Sequence, residues 1–382
     1  MKLIVITGPT ASGKSSLGER LARELRGEII NADSVQVYSG LDIGSAKPSA
    51  EMCREIRHHV LSIIPPCSQF DAGMYVKLAD EAVADVISRG KLPIVVGGSG
   101  LYVRALLHGL AAVPEVPDSV RSLVQLKSSE ISSAAGEKEQ ASLKIHEWLA
   151  ELDRNAARRI SYRDAHRVQR AIEVALSSKQ TLTEHHEDHR RGAPRYDALI
   201  ICLLPAREIL YPRLDKRVEQ MFADGLEWEV KGLRENFPNF ASWCDIIGYR
   251  HVNNYFDGLT SKEEMIELMK RDTRRFAKRQ FTWWRHEPER MGWLRVKNFA
   301  GYLESDRSTK SNQNGSLGGA ATDTNVSSES ESVACPNAEC VDNPLAKWSQ
   351  TYKAHGALSQ LINDFLYAPI GEGAAEVRFL SQ

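Results

Sequence analysis

A chain of 382 residues, 42% of them hydrophobic, is long enough to bury two cores or one core that carries an insertion. Forty-nine basic against 50 acidic residues give a formal charge of −1, which excludes a general polycation and confines any nucleic-acid site to a local patch. Six scattered cysteines (Cys53, Cys67, Cys202, Cys244, Cys335 and Cys340) suit a reducing compartment, and the leading apolar run at 3–6 is too short for a signal segment. With no stretch of membrane-spanning length, a soluble cytoplasmic protein without membrane contact is expected, acting as a monomer.

The first stretch that carries chemistry is Gly8, Pro9, Thr10, Ala11, Ser12, Gly13, Lys14 and Ser15, between an apolar run at 3–7 and an amphipathic run at 16–25. It fits G-x-x-x-x-G-K-[ST] in the strand, loop and helix setting that the pattern requires. In such a loop backbone N–H groups close around a polyphosphate, Lys14 reaches the outer oxygens, Ser15 offers a hydroxyl to magnesium, and the helix adds the positive end of its dipole. Leu17, Leu21 and Leu25 share one helix face, and Gly27 follows its end. A second buried strand is predicted over 28–32, ending in Asp33, Ser34, Val35 and Gln36. Strand ends in parallel α/β sheets are ligand sites, so Asp33 and Gln36 are active-site candidates; an Asp in that position serves equally well as a helix N-cap. Residues 41–48 read as an ordinary surface turn.

His58 and His59 precede an apolar run at 60–64 that Pro65 and Pro66 close. Neighbouring residues of a strand face opposite sides, so the two histidines are not expected to share a metal. Residues 71–89 are helical by pattern, with Met74, Leu78, Ala82 and Val86 on one stripe. A strand over 92–96 runs into Gly97, Gly98, Ser99 and Gly100. This is either a second phosphate-facing turn with Ser99 supplying a hydroxyl, or a plain connection to a helix at 101–107. From 109 to 191 the chain is helical and charged, as in an all-α insertion. Ser161 and Asp164 cap a helix there that turns Val168, Ile172 and Ala175 inward. Arg163, Arg167 and Arg170 share its outer face, a stripe suited to a phosphate backbone or to solvent.

The sheet resumes at 198–204, and the next helix carries Leu210, Leu214, Val218 and Met221 at core spacing beside Arg207, Arg213 and Arg217. Amphipathic helices follow at 226–233 and 262–270, and the latter continues through 271–285. Met269, Phe276 and Trp283 recur there every seven residues, while Arg271, Arg274, Arg275, Lys278, Arg279 and Arg285 occupy the other sides. A basic helix anchored by aromatics is the strongest nucleic-acid signal in the chain, although a membrane surface or a calmodulin-type partner also suits such a helix. The Ser, Asn, Gly, Thr and Glu content of 305–343 predicts disorder, and the tail after it is too small for its own core. Cys335 and Cys340 lack C-x2-C spacing and have only His355 nearby, so no zinc site is expected. The predicted fold is α/β, a P-loop NTPase-like parallel sheet flanked by helices over 1–108 and 192–300. It carries an all-α insertion domain over 109–191, a disordered C-terminal linker over 301–345 and a short tail over 346–382.

Seven stretches, at 8–15, 32–38, 42–48, 96–102, 167–174, 247–249 and 273–283, together resemble in identity and order the tRNA dimethylallyltransferase, or IPP transferase, family. The resemblance spans about residues 2–293. Ser45 and Ser99 stand where the family usually has Thr and keep the hydroxyl; the tail lacks the zinc finger that eukaryotic members often append. The resemblance implies transfer of a dimethylallyl group from dimethylallyl diphosphate to the exocyclic N6 amine of the adenosine next to the tRNA anticodon on its 3′ side. It implies Asp33 as general base, Ser99 as donor to the bridging oxygen of the leaving diphosphate, and the phosphate loop with magnesium as the group that absorbs its charge, with Arg213 a further diphosphate ligand. The adenine would be flipped from its loop and read by Asp33, Ser34, Val35 and Gln36. The tRNA anticodon stem-loop would be met by Ser99, Arg121, His166, Arg167, Val168, Gln169 and Arg170, by Asp245, Ile246, Ile247, Gly248, Tyr249 and Arg250, and by Thr273, Arg274, Arg275, Phe276, Ala277, Lys278, Arg279 and Gln280. Two rivals remain at the level of sequence: a P-loop small-molecule kinase, and a non-catalytic RNA-binding module.

Overall fold

The structure, a computed structural model, describes residues 1–189, 194–238, 241–286 and 293–296, together with Ile362 and Leu366. The apolar runs form one parallel sheet of β1 (Lys2–Thr7), β2 (Gly27–Asn31), β3 (His58–His59), β4 (Leu92–Val96), β5 (Asp197–Leu203) and β6 (Trp293–Val296), in the order β3-β2-β4-β1-β5-β6. The two-residue period of a strand sorts its side chains. Leu3, Val5, Ile30, Val95, Ile200 and Cys202 face one core cluster; Ile4, Ile6, Ile29, Ile94, Leu199 and Ile201 face another. Both faces are covered, so the strands read as unbroken apolar runs.

On one face α1 (Lys14–Glu24) buries Leu17, Leu21 and Ala22. α2 (Ala50–Glu55) is a short helix capped by Ser49. α3 (Ala72–Ser88) starts at Asp71, whose Oδ1 accepts the Met74 N–H at 2.8 Å. Its buried stripe is Tyr75, Ala79, Ala82, Val83 and Val86, with Met74 left 43% exposed. The stripe is rotated by a residue from the predicted one because the Tyr75 ring stacks, at 4.4 Å between centroids, on Tyr102 of α4 (Gly100–His108). The apolar run at 60–64 is not a strand. Val60 and Ser62 hold φ of +56° and +52°, which ends β3 at His59, and the Ile63 and Ile64 amides donate to the Val37 carbonyl instead. Glu28 of β2, 2% exposed, accepts hydrogen bonds from Arg89 and Lys91 and lies 2.7 Å from His59 Nε2. The Arg89 hydrogen bonds, with Lys91 and His59 behind them, outweigh burial and hold this carboxyl far below the usual range. His59 is thereby tied into the hydrogen-bond network around Glu28, and His58 Nδ1 lies 2.7 Å from the Ile56 carbonyl.

The chain divides into two compact units, residues 1–107 with 196–382, and residues 108–195. The second unit is all-α: α5 (Asp118–Ala135), α6 (Lys138–Leu152), α7 (Arg154–Arg159), α8 (Ala165–Ser177) and α9 (Leu182–His189) around Val124, Trp148, Leu149, Val168 and Ile172. Its buried Asp153 caps α7 through the Ala156 N–H and accepts from both the N–H and the hydroxyl of Thr183, which pins α9. The first unit continues with α10 (Arg207–Ala223), α11 (Leu226–Asn236), α12 (Ala241–Cys244), α13 (Tyr249–Phe256) and α14 (Lys262–His286). These helices share a core that includes Leu41, Val218, Met221, Val230, Tyr249, Met265 and Met269. Two residues of the tail contact the sheet unit: Ile362 is fully buried among Leu17 and Leu21, and the Leu366 carbonyl accepts from Lys2 Nζ. The linker predicted over 301–345, with Cys335 and Cys340, lies outside the described residues. Among the described residues no helix is long and apolar enough to cross a membrane.

Candidate active site

Three neighbouring strands deliver three loops to one rim. Ile6 of β1, Val96 of β4 and Asn31 of β2 lie in register, and beyond them come the phosphate loop, the turn Gly97 to Ser99, and Asp33. Adjacent strands are about 4.8 Å apart, so the residues just past their C-terminal ends face a common crevice. Backbone bonds continue across it: the Ala32 N–H to the Val96 carbonyl (2.8 Å), the Gly97 N–H to the Ile6 carbonyl (3.1 Å) and the Ser99 N–H to the Ala32 carbonyl (3.2 Å). Gly8 opens the phosphate loop at φ +135°, where a Cβ would sit 2.2 Å from the Leu203 carbonyl oxygen. Only glycine fits there.

The crevice is a cleft of about 330 Å³. Thr10, Lys14, Ser15, Asp33, Ser34, Val35, Gln36 and Ser99 line it. Lys14 Nζ donates to the Pro9 carbonyl at 2.7 Å. Burial, then the Arg217 guanidinium, push its ammonium down to about 8, against the pull of Asp33. Ser12 of the loop is buried at 1% exposure, and its hydroxyl makes no hydrogen bond among the described residues. Gly13 begins α1 with φ +95° and no side-chain cap, so the helix start keeps amides for an anion. Asp33 is not a helix N-cap: residues 34–37 after it form a turn, which its carboxylate braces. Its Oδ1 accepts from the N–H groups of Val35 (2.8 Å) and Gln36 (3.4 Å), while Oδ2 makes no hydrogen bond among the described residues and the side chain lines the cleft. Ser99 Oγ accepts the Ser34 N–H at 3.1 Å, which leaves its own proton to donate.

The facing wall comes from Ile246, Ile247 and α14, which contributes Thr273, Phe276, Arg279 and Gln280. Phe276 is 38% exposed, with the Arg279 guanidinium 5.6 Å from its ring centre. Four residues expected to touch RNA have buried side chains instead, Gln280 among them. Val168 is in the core of the second unit, Ala277 packs beside Leu210 and Phe281, and Tyr249 donates its hydroxyl to Glu229 at 2.7 Å. Each falls on the apolar stripe of its helix, which packing claims first. Gly248 is buried too, at the start of α13. The Glu229 carboxylate also accepts from the N–H groups of Asp42, Ile43 and Gly44, and Gln36 Nε2 donates to the carbonyls of Ser45 and Ala46. The turn at 42–48 is therefore a braced part of the cleft, lining it through Gly44, Ser45 and Ala46, and not an ordinary surface turn.

The basic helix is less free than its composition suggests. Asp272 is bonded by Arg250, His251, Arg271 and Arg275, and Arg274 pairs with Asp215 at 2.5 Å. Exposed Lys278 and Arg279 make no ion pair among the described residues. Arg213 lines a second cleft of about 790 Å³; the arginine in the cleft with Lys14 is Arg217, one helical turn further on, which the sequence placed on this helix but did not assign to the diphosphate. The i, i+4 spacing on α10 was its only signal. Asp245 is exposed at the end of α12. In the second unit His166 and Arg167 are exposed and Gln169 is half-buried; Arg121, Arg167 and Arg170 pair along their own helices with Asp118, Asp164 and Glu173.

The chain is similar to known proteins over most of its length. The family described as IPP transferase matches residues 36–287, and the family described as isopentenyl transferase matches residues 1–69. A tRNA dimethylallyltransferase of Geobacter sulfurreducens is 41% identical over 288 residues, 75% of this chain and 90% of that protein. One from Koribacter versatilis is 40% identical over 293 residues, 77% of this chain and 92% of that protein. Among solved structures, a tRNA delta(2)-isopentenylpyrophosphate transferase of Staphylococcus epidermidis superposes with a TM-score of 0.54 at 36% identity, covering 81% of this chain and 98% of its own. A eukaryotic dimethylallyltransferase acting on tRNA superposes with a TM-score of 0.66 at 27% identity, covering 81% and 77%. With a family match across more than half its length and relatives aligned over nine-tenths of theirs, the chain belongs to the IPP transferase family, the tRNA dimethylallyltransferases.

Proposed function

We propose that the cleft moves the dimethylallyl group of dimethylallyl diphosphate to N6 of the adenosine on the 3′ side of the anticodon, position 37, in tRNAs that read codons beginning with U. The observation that carries this reading is the convergence of a phosphate loop, a hydroxyl donor and a carboxylate at three adjacent strand ends. The N6 lone pair attacks C1 of the prenyl group, the C1–O bond breaks with its electrons leaving on the diphosphate, and the N6 proton passes to Asp33. Ser99, held by the Ser34 N–H, donates to the bridging oxygen, and Lys14, Arg217 and the loop amides take the departing charge. The exposed Ser15 hydroxyl at the cleft end of α1 is a hard oxygen donor of the kind magnesium accepts, so Ser15 would hold that ion together with the diphosphate. Magnesium would supply positive charge toward the leaving group. A stacked adenine cannot reach these groups, so the base must be extruded from the anticodon loop, with Phe276, Lys278 and Arg279 beside the entry. A kinase reading fits less well, because β4 runs into Gly97 and Gly98 where such enzymes place a magnesium-binding carboxylate. One chain supplies every group named, so we take it to act as a monomer, in the cytoplasm with its tRNA.

The test is Asp33→Asn, which keeps the turn-capping oxygen but cannot accept the proton. Single-turnover prenyl transfer should fall by about 10²- to 10⁴-fold, while tRNA affinity changes by no more than about threefold. Unchanged turnover would remove Asp33 as the base.

A further inference from the structure

The amide of Gln280 joins two parts of the site that the chain separates by almost ninety residues. Its Oε1 accepts the N–H of Thr10 in the phosphate loop at 2.8 Å, and its Nε2 donates to the carbonyl of Gly98 at 3.0 Å. The side chain is 9% exposed. It lies on the packed side of α14: Ala277 and Phe281 share a cluster with Ala11 of the loop, and Trp284 is 1% exposed. Lys278 and Arg279 occupy the exposed side. The fit at Gly98 is close, since a Cβ there would sit 2.5 Å from Gln280 Nε2.

We propose that Gln280 is a positioning residue of the transfer reaction and not an RNA contact. It fixes the span between the loop that holds the diphosphate and the turn that carries Ser99. This rests on the prenyl-transfer reading above, and it gives the RNA-facing helix a second task on its inner side. The chemistry of the side chain matches the task. One end must accept from an N–H and the other donate to a carbonyl; glutamate lacks the donor, lysine lacks the acceptor, and asparagine is a methylene short. The span matters because the same diphosphate is gripped from both sides, through its terminal oxygens by the loop and through its bridging oxygen by Ser99. A displacement of about 1 Å between catalytic groups costs about 10²-fold in rate.

The experiment compares wild type, Gln280→Met, Gly98→Ala and the double variant for kcat, for KM of dimethylallyl diphosphate, and for affinity toward an anticodon stem-loop. Methionine fills the same volume without either hydrogen bond. Alanine at 98 attacks the strut from the other end and guards against a folding defect peculiar to one variant. We expect each single variant to lose at least tenfold in kcat, with stem-loop affinity within about twofold of wild type. The double variant should be no worse than the poorer single one, because both remove the same link. A fall in stem-loop affinity with kcat preserved would make Gln280 an RNA contact; additive losses, or no loss, would also overturn the proposal. Absence of wild-type turnover in the same assay would reject prenyl transfer itself, whereas normal wild-type turnover with unaffected variants would reject only the strut.

Discussion

Lys14 must be an ammonium to hold a diphosphate, yet burial and Arg217 bring its titration down to about 8. A lowering from 10.5 corresponds to roughly 3 kcal/mol of cost in the ligand-free protein at neutral pH. Its sign is fixed by linkage: between about 8 and 10.5 the unfolded chain keeps a proton that the folded protein has lost, so this group's contribution to stability rises with pH over that window. Binding has the opposite trend, because the cation is lost as pH passes 8. KM for the prenyl diphosphate should therefore climb above pH 8, and Lys14→Arg should remove the climb; a flat wild-type profile would show that Lys14 stays charged. Asp33 shows how far single residues were legible. Its position after a strand suggested either a helix N-cap or an active-site carboxylate; no helix starts there, one oxygen braces the turn at 34–37, and the side chain lines the cleft, where the proposed proton transfer would use the other oxygen. Gln280 and Arg217 were not legible in these roles. Their partners lie far off in the chain, and no local pattern marks a residue whose task is set by the other end of the fold.

α14 works on two faces, and the salt dependence of binding separates them. Asp272 and Asp215 already engage Arg250, Arg271, Arg275 and Arg274, so among the described residues of α14 the exposed cations without an ion pair are Lys278, Arg279 and Arg285. Lys278→Ala with Arg279→Ala should weaken tRNA binding at low salt by at least tenfold and lower the slope of log affinity against log salt by about 1.4 to 2. An unchanged slope would mean that RNA does not use this face. The sequence showed the basic face plainly but misdrew the apolar one. The seven-residue recurrence of Met269, Phe276 and Trp283 drifts about 20° per repeat around a helix of 3.6 residues per turn. Phe276 and Trp283 therefore fall on one side of Met269, with Phe276 at the cleft, while the buried line runs on its other side through Gln280, Trp284 and Ala277. The run at 60–64 stayed unassigned for another reason: Val60 and Ser62 hold positive φ, and Ile63 and Ile64 bond to Val37, a partner that no composition reports.

At the scale of the molecule, a parallel sheet buried on both faces brings its C-terminal ends to one crevice. That architecture was legible because doubly covered strands read as continuous apolar runs. The contact of Ile362 and Leu366 with the sheet unit was not, since a short apolar tail beyond a polar stretch has no periodicity long enough to assign. The architecture places the phosphate loop and the Asp33 carboxylate in a single cleft against a helix with a basic outer face, and the central claim is that an allylic diphosphate and an RNA base react between them. Labelled dimethylallyl diphosphate, ATP and GTP, each offered separately with unmodified tRNA and magnesium, followed by nucleoside analysis of the digested RNA, measures this directly. Label on adenosine N6 from the prenyl donor alone is the predicted result; label from a nucleotide, or none from the prenyl donor, would contradict the account.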